Sequence, residues 1–264
     1  MTAPLFILIA LFGLLIGILS GLFGIGGGIM IIPTLNLVFG LSPLASAATS
    51  LFVVAPTAIS GTYRHLRQGK VDIRAALYIG ISGACASTVS SLFSGMLHGM
   101  VILIIAACLI IYCAGTIIRR ALKPAKNEES DSGEGRFKST VSLAVARIAL
   151  GLFAGSMAGL VGLGGGFIII PMAVTLLGYS FKQATAVSLF SVGIIAVPGI
   201  ITHALLGHIA YLYGIALMVG TIPGASIGVR LSTRIPEKPL SLAFGALLII
   251  SGVMLVVNQI LQGL

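Results

Sequence analysis

The feature that most restricts what this chain can fold into is a run of glycines set inside an apolar segment too long for one membrane crossing. Gly21-Leu-Phe-Gly24-Ile-Gly26-Gly27-Gly28-Ile-Met-Ile-Ile-Pro33 lies within residues 4–40, and 138 residues later Gly159-Leu-Val-Gly162-Leu-Gly164-Gly165-Gly166-Phe-Ile-Ile-Ile-Pro171 lies within 141–178. After proline, glycine is the residue most costly to a helix interior, so three in a row break the helix and bare its backbone. A bilayer tolerates bare backbone only where it is buried in protein or lines a wet cavity. Two matched breaks therefore predict one shared site.

The surrounding chain is that of a polytopic membrane protein. Of 264 residues 58% are hydrophobic and 8% charged, far from the balance of soluble domains. Apolar segments cover 4–40, 43–62, 73–94, 99–118, 141–178, 183–202, 209–229 and 239–260. Each reaches the roughly 20 residues that a spanning helix needs. The first and fifth, nearly twice as long as the rest, are the two that carry glycine breaks. Met1–Pro4 has no basic run of the kind that opens a signal peptide, so the first segment is read as part of the fold. The net charge of +9 sits in short loops, without the basic face interleaved with polar and aromatic contacts that nucleic acid requires. Cys85, Cys108 and Cys113 all fall in apolar segments and read as buried free thiols, not as a disulfide framework.

The repeat extends well beyond the glycines. Residues 17–69 and 155–207 align without a gap and agree at 21 of 53 positions, including His65 with His203 and Gly69 with Gly207. Duplication of one unit is the simplest account, and register beyond that point is read as needing a small insertion in the second half. The expected division is a first transmembrane repeat over 1–120, a polar linker over 121–140 and a second repeat over 141–264. Lys and Arg favour the cytoplasmic side of short loops. If every segment crossed once, Lys182, Arg230, Arg234 and Lys238 would break that rule. If both long segments fold back at their glycines, all 15 basic residues and the 6 acidic ones share the cytoplasmic side. The predicted fold is thus all-α, with eight hydrophobic segments, 8–10 crossings and two inverted-topology repeats. The second arms, about 28–40 and 166–178, reach only ~20 Å and can be re-entrant half-helices.

Hairpins entering from opposite faces bring their glycine tips together near the midplane. Bare N–H groups there, with half-helices starting at Gly28 and Gly166, favour an anion. The predicted substrate-binding set is Gly24, Gly26, Gly27, Gly28 and Ser50 from the first copy, with Gly162, Gly164, Gly165, Gly166 and Ser188 from the second. Thr49 and Thr185 are further hydroxyl donors. No Asp or Glu lies in any apolar segment, so the buried carboxylate common in proton-coupled and cation carriers is missing. His65 and His203 are candidate gates, His98 and His208 read as loop residues, and Arg147 and Arg230 as headgroup contacts. No catalytic residue, metal ligand or cofactor is expected. The expected partners are a small anion and membrane lipid; self-association stays open. The glycines can instead serve only close helix packing, which would make the chain a scaffold. The same backbone site would also suit an anion channel. Gly224-Ala-Ser226-Ile-Gly228 matches a nucleophile elbow, but it lies in a spanning segment with no histidine after it.

The doubled glycine motif with Pro33 and Pro171, and the Gly69-Lys-Val-Asp turn, resemble the sulfite exporter TauE/SafE family, also called the toluene-sulfonate uptake permease family. The likeness covers nearly the whole chain. It implies transport of sulfite, an organosulfonate or a related sulfur oxyanion across a bacterial-type inner membrane, in either direction depending on the member. In the second half His208-Ile-Ala replaces Lys-Val-Asp, which departs from that pattern.

Overall fold

The structure, a computed structural model, describes the backbone of residues 3–69, 71–93, 99–122, 140–161 and 164–262, with side chains except at 92, 93, 99–107, 140, 161 and 255–262. Gly162 of the predicted site, His98 and linker residues 123–139 lie outside the described residues. Among the described residues the fold is all-helical. The helices are α1 (Ala3–Phe23), α2 (Gly28–Val38, widened to π winding from Thr34), α3 (Pro43–Arg67), α4 (Ile73–Phe93) and α5 (Gly99–Leu122). They continue as α6 (Thr140–Val161), α7 (Gly166–Thr175), α8 (Phe181–Leu205), α9 (Tyr211–Arg234) and α10 (Glu237–Gln262). Among the described residues α1, α3, α6, α8, α9 and α10 are long and apolar enough to cross a membrane.

Local sequence explains the boundaries. Ser42 accepts from the Ala45 amide to start α3, and Ser180 and Gln183 form a reciprocal capping box at α8. Gly69 and Gly207, both left-handed, follow α3 and α8. Asp72 accepts from the Ala75 amide at the start of α4, whereas Ala210 at the matched place offers α9 no side-chain cap. Gly28 and Gly166, Pro43 and Phe181, and Ile73 and Tyr211 begin their helices 138 residues apart. No insertion therefore separates Gly207 from the start of α9, contrary to the expected shift of register there. The departure there is chemical, a lost cap, and not a change of register.

The first helix of each half packs on the other half. A Cβ added to Gly13, Gly17 or Gly21 of α1 would lie 2.5, 2.4 and 2.1 Å from the carbonyl oxygens of Leu217, Thr221 and Ala225 on α9. Gly151, Gly155 and Gly159 of α6 lie as close to Ile79, Gly83 and Ser87 on α4. Without side chains on these faces the backbones touch, the packing available to helices in lipid, where apolar burial alone does not favour association. Gly224 and Gly228 belong to the α9 face, against the carbonyls of Leu14 and Ile18.

These contacts also give the helix directions. Rising numbers on α1 meet rising numbers on α9, so the two are parallel, as are α6 and α4. Helix α3 is parallel to α9, from Thr49 with Ala210 through Thr57 with Thr221 to Ser60 with Ser226. Its repeat partner α8 runs antiparallel to it, since Leu51 meets Gly199 and Gly61 meets Leu189. Helices α1 and α3 thus point the same way, with α2 returning between them. Cys85 and Cys108 are exposed on the bundle's outside and only Cys113 is buried, which corrects the reading of three buried thiols. Helical phase, not hydrophobicity, decides which side of a lipid-facing helix a thiol occupies.

Candidate anion site

The break between α1 and α2 is made by three glycines with positive φ, Gly24 (74°), Gly26 (75°) and Gly27 (88°). Gly164 (77°) and Gly165 (74°) repeat the geometry before α7. Side chains rarely adopt this backbone, so glycine is required twice over, by conformation and by space. A Cβ on Gly24 would lie 2.5 Å from the Thr185 carbonyl oxygen, and one on Gly166 would lie 2.9 Å from Ile25 Cα.

The two loops meet at the centre of the bundle. Added Cβ atoms on Gly26 and on Gly164 would both contact Val54 and Val192, themselves repeat partners near the middles of α3 and α8. Gly24, Gly26, Gly27, Gly28, Gly164, Gly165 and Gly166 are all buried. The Gly27 and Gly165 carbonyls accept the first amides of α2 and α7, from Met30 and Ile31 and from Ile168 and Ile169. Neither helix has a side-chain N-cap.

The hydroxyls around the loops divide into engaged and unengaged. Ser188, fully buried, donates to the Gly166 carbonyl at 3.4 Å. Its repeat partner Ser50 is equally buried, with no hydrogen-bond partner. Thr185 is not a free donor, since it donates to the Lys182 carbonyl at 2.8 Å, whereas Thr49 Oγ1 accepts the Ala210 amide at 3.0 Å and keeps its own O–H proton to donate. Ser20, absent from the sequence-based set, sits in the last turn of α1 with its Cβ 3.4 Å from where a Gly27 Cβ would be. It too is fully buried and unpartnered. The sequence signal for it is a mismatch, Ser20 against Ala158, in a stretch read for its identities.

The candidate gates lie away from the loops. His65 and His203 are buried in the last turns of α3 and α8. His208, read as a loop residue, does lie in the α8–α9 turn, but its Nδ1 is 3.4 Å from His203 Nδ1. Arg147 is no headgroup contact: it donates to Asp72 Oδ2 at 2.8 Å and to the Tyr179 hydroxyl at 2.7 Å, and Tyr179 donates to the same carboxylate oxygen at 2.7 Å. Burial opposes the charge on Asp72, but the Ala75 amide, the Tyr179 hydroxyl and the Arg147 guanidinium outweigh it and hold the carboxyl below the usual carboxylate range. Burial, followed by the same carboxylate, pushes the Tyr179 hydroxyl up. Beside this triangle a cavity of about 450 Å³ is lined by Gly69, Val71, Asp72, Ser180, Lys182 and Gln183. Lys182 lies one turn of α8 from Thr185, which touches Gly24. The cavity thus opens close to the first glycine loop.

Among the described residues no cluster of His, Cys, Asp or Glu could hold a metal ion. Comparison with known proteins agrees with the resemblance carried by the glycine motifs: the family model described as sulfite exporter TauE/SafE matches residues 9–255. The chain belongs to this family. Relatives of the TauE/SafE chain include the probable membrane transporter protein YunE of Bacillus subtilis, 26% identical over 97% of this chain and 98% of the relative. A probable membrane transporter protein of Methanocaldococcus jannaschii is 29% identical over 94% of this chain and 93% of its own length. Another, from Haemophilus influenzae, is 27% identical over 93% of this chain and 96% of the relative. No solved structure matches the chain. As a member of this family it is a multi-pass membrane transporter.

Proposed function

We propose that the chain exports a small sulfur oxyanion, sulfite or an organosulfonate, by alternating access around the meeting point of the two glycine loops. The observation that carries this reading is the convergence of Gly26 and Gly164 on the same two valines. Two breaks that served only helix packing would have no reason to meet. Backbone amides free of side chains favour an anion. All six acidic residues lie outside the apolar segments, so nothing at the centre repels one.

The mechanism follows from two inverted-topology repeats, each made of a glycine-broken hairpin and three further helices. Antiparallel α3 and α8, parallel α1 and α3, and parallel α6 and α8 fit that topology, and single crossings of all eight segments do not. Arg147, Asp72, Tyr179 and Lys182 gather at one end, which we assign to the cytoplasm of an inner membrane together with the 121–140 linker. The loops are buried in the state described, which is the occluded state of an alternating-access cycle. An inside-negative potential contributes about 2.3 kcal/mol per charge per 100 mV towards moving an anion out, so export needs no coupling ion.

Counterflow in proteoliposomes tests the reading. Labelled sulfite exchanges faster against internal unlabelled sulfite if the chain is a carrier. Flux without trans acceleration identifies a channel, and no flux with any sulfur oxyanion identifies a scaffold. Either result overturns the proposal. External labelling of a cysteine placed at Lys182 or Lys238 would overturn the topology.

A further inference from the structure

We propose that the anion site is one-sided: the hydroxyls of Ser20 and Ser50 bind the oxyanion on the first glycine loop, and the second loop serves as its structural counterpart. This rests on the reading of the glycine loops as the substrate site and says which loop takes the ligand and through which atoms.

The repeat makes the inference possible, because it offers an internal control at each position. Leaving a buried hydroxyl without a partner costs about 1–3 kcal/mol, so such a group in a native fold calls for an explanation. Ser20 and Ser50 are both fully buried and unpartnered. In the second half the same two places are spent. Ala158 stands where Ser20 does, with its Cβ 3.4 Å from an added Gly165 Cβ, and Ser188 already donates to the Gly166 carbonyl. Ser87 is also buried without a partner, but it lies against Gly159 in the α4–α6 packing face, away from both loops.

Access favours the same loop. Gly24 touches Thr185, one turn from the Lys182 that lines the cavity together with Asp72. The Lys182 amino group has only a long contact, 3.5 Å, to the Thr233 carbonyl. An anion passing from the cavity past Thr185 meets Gly24 first. Deeper in, Ser20 beside Gly27 and Ser50, one turn of α3 before the Val54 that meets Gly26, have no partner to donate to. An oxyanion with several acceptor oxygens fits this donor set, and a cation does not.

Titration of sodium sulfite into the full-length protein in lipid nanodiscs decides the matter, with unliganded melting temperature as the check on folding. Ser20→Ala and Ser50→Ala each weaken sulfite binding about tenfold, the loss expected of one hydrogen bond to a charged group, and raise the unliganded melting temperature because a buried unpaired hydroxyl is removed. Ala158→Ser stays within about twofold of the parent, because the second loop does not take the ligand. Wild-type affinity in Ser20→Ala or Ser50→Ala, or clear tightening in Ala158→Ser, overturns the one-sided site. If both alanine variants bind as the parent does while Gly26→Val abolishes binding, the glycine site stands and the hydroxyl pair falls. If the parent itself binds none of sulfite, thiosulfate and methanesulfonate, the transport reading falls, and this inference with it.

Discussion

At its foot the second glycine-broken hairpin is held by charge, and the first by rings and backbone. Tyr179, just past α7, closes a triangle with Arg147 of α6 and Asp72 before α4. The matched positions are Leu41 and Ile9 in the first half and Ala210 in the second, none of which carries a polar side chain. There Phe39, just past α2, stacks edge-on against Phe12 of α1 at 6.0 Å and packs against Tyr213 at 6.1 Å. Asn36 Nδ2 and Ser46 Oγ donate to the Leu41 carbonyl. The glycine loops are nearly identical in sequence, and Gly26-Gly27 and Gly164-Gly165 share positive φ. What fixes the ends of the two hairpins differs. One hairpin should therefore respond to pH and salt and the other should not.

The largest expected effect tests what the halves share. Gly17→Leu and Gly155→Leu both force a side chain into backbone, 2.4 Å from the Thr221 carbonyl oxygen and 2.0 Å from the Gly83 carbonyl oxygen. Backbone cannot swing aside as a side-chain tip can, so the cost lies at or above the roughly 1–3 kcal/mol of ordinary overpacking. Both variants should lose the monodisperse folded species in detergent gel filtration. Survival of one alone would mean that the two helix exchanges do not contribute equally.

The next effects separate the halves. Asp72→Asn should destabilise the fold by about 1–2 kcal/mol, between the values for exposed and buried pairs, since the Arg147 side chain is 12% exposed and that of Asp72 37%. The folded carboxyl is held low, so its stabilisation is whole above the ordinary value of about 3.9 and is lost as pH falls through the depressed one. A melting series from pH 7 to pH 3 should fall steeply at the acid end, and Asp72→Asn should flatten that limb. Phe39→Ala, by contrast, should lower the melting temperature by a similar amount at every pH and salt concentration, through lost ring contacts. An equal acid limb in both variants would erase the comparison.

These differences also mark what could be read from sequence. Helical class and family were legible because long apolar segments and a doubled glycine motif each have few physical interpretations. Helix partners were not. Gly13, Gly17 and Gly21 announce a flat face, but nothing in their spacing says that it lies on α9 of the opposite half. Arg147 was misread for a related reason: an arginine near a helix end snorkels unless a carboxylate reaches it, and Asp72 comes from another helix. The glycine positions needed only local conformation. Ser20 needed knowledge of which hydroxyls around the loop are already spent, and that is a property of the packed state.

The smallest effect concerns the helices that carry the two valines. Helix α3 is tied to α9 by hydroxyls: Thr57 Oγ1 lies 2.7 Å from Thr221 Oγ1, and Ser60 lies 2.9 Å from Ser226. At the first of these places α8 and α4 carry Ile195 and Gly83, and the second half substitutes a single bond from Ser191 to the Ala76 carbonyl. Interhelical hydrogen bonds in membranes average about 0.6 kcal/mol, because the separated helices find other partners. A Thr57→Val, Thr221→Val double-mutant cycle in nanodiscs should return a coupling of about that size. Near-zero coupling would mean that the Thr57 hydroxyl is satisfied by its bond to the Val53 carbonyl alone. The Thr57–Thr221 contact would then add nothing to the α3–α9 pair beyond its apolar packing.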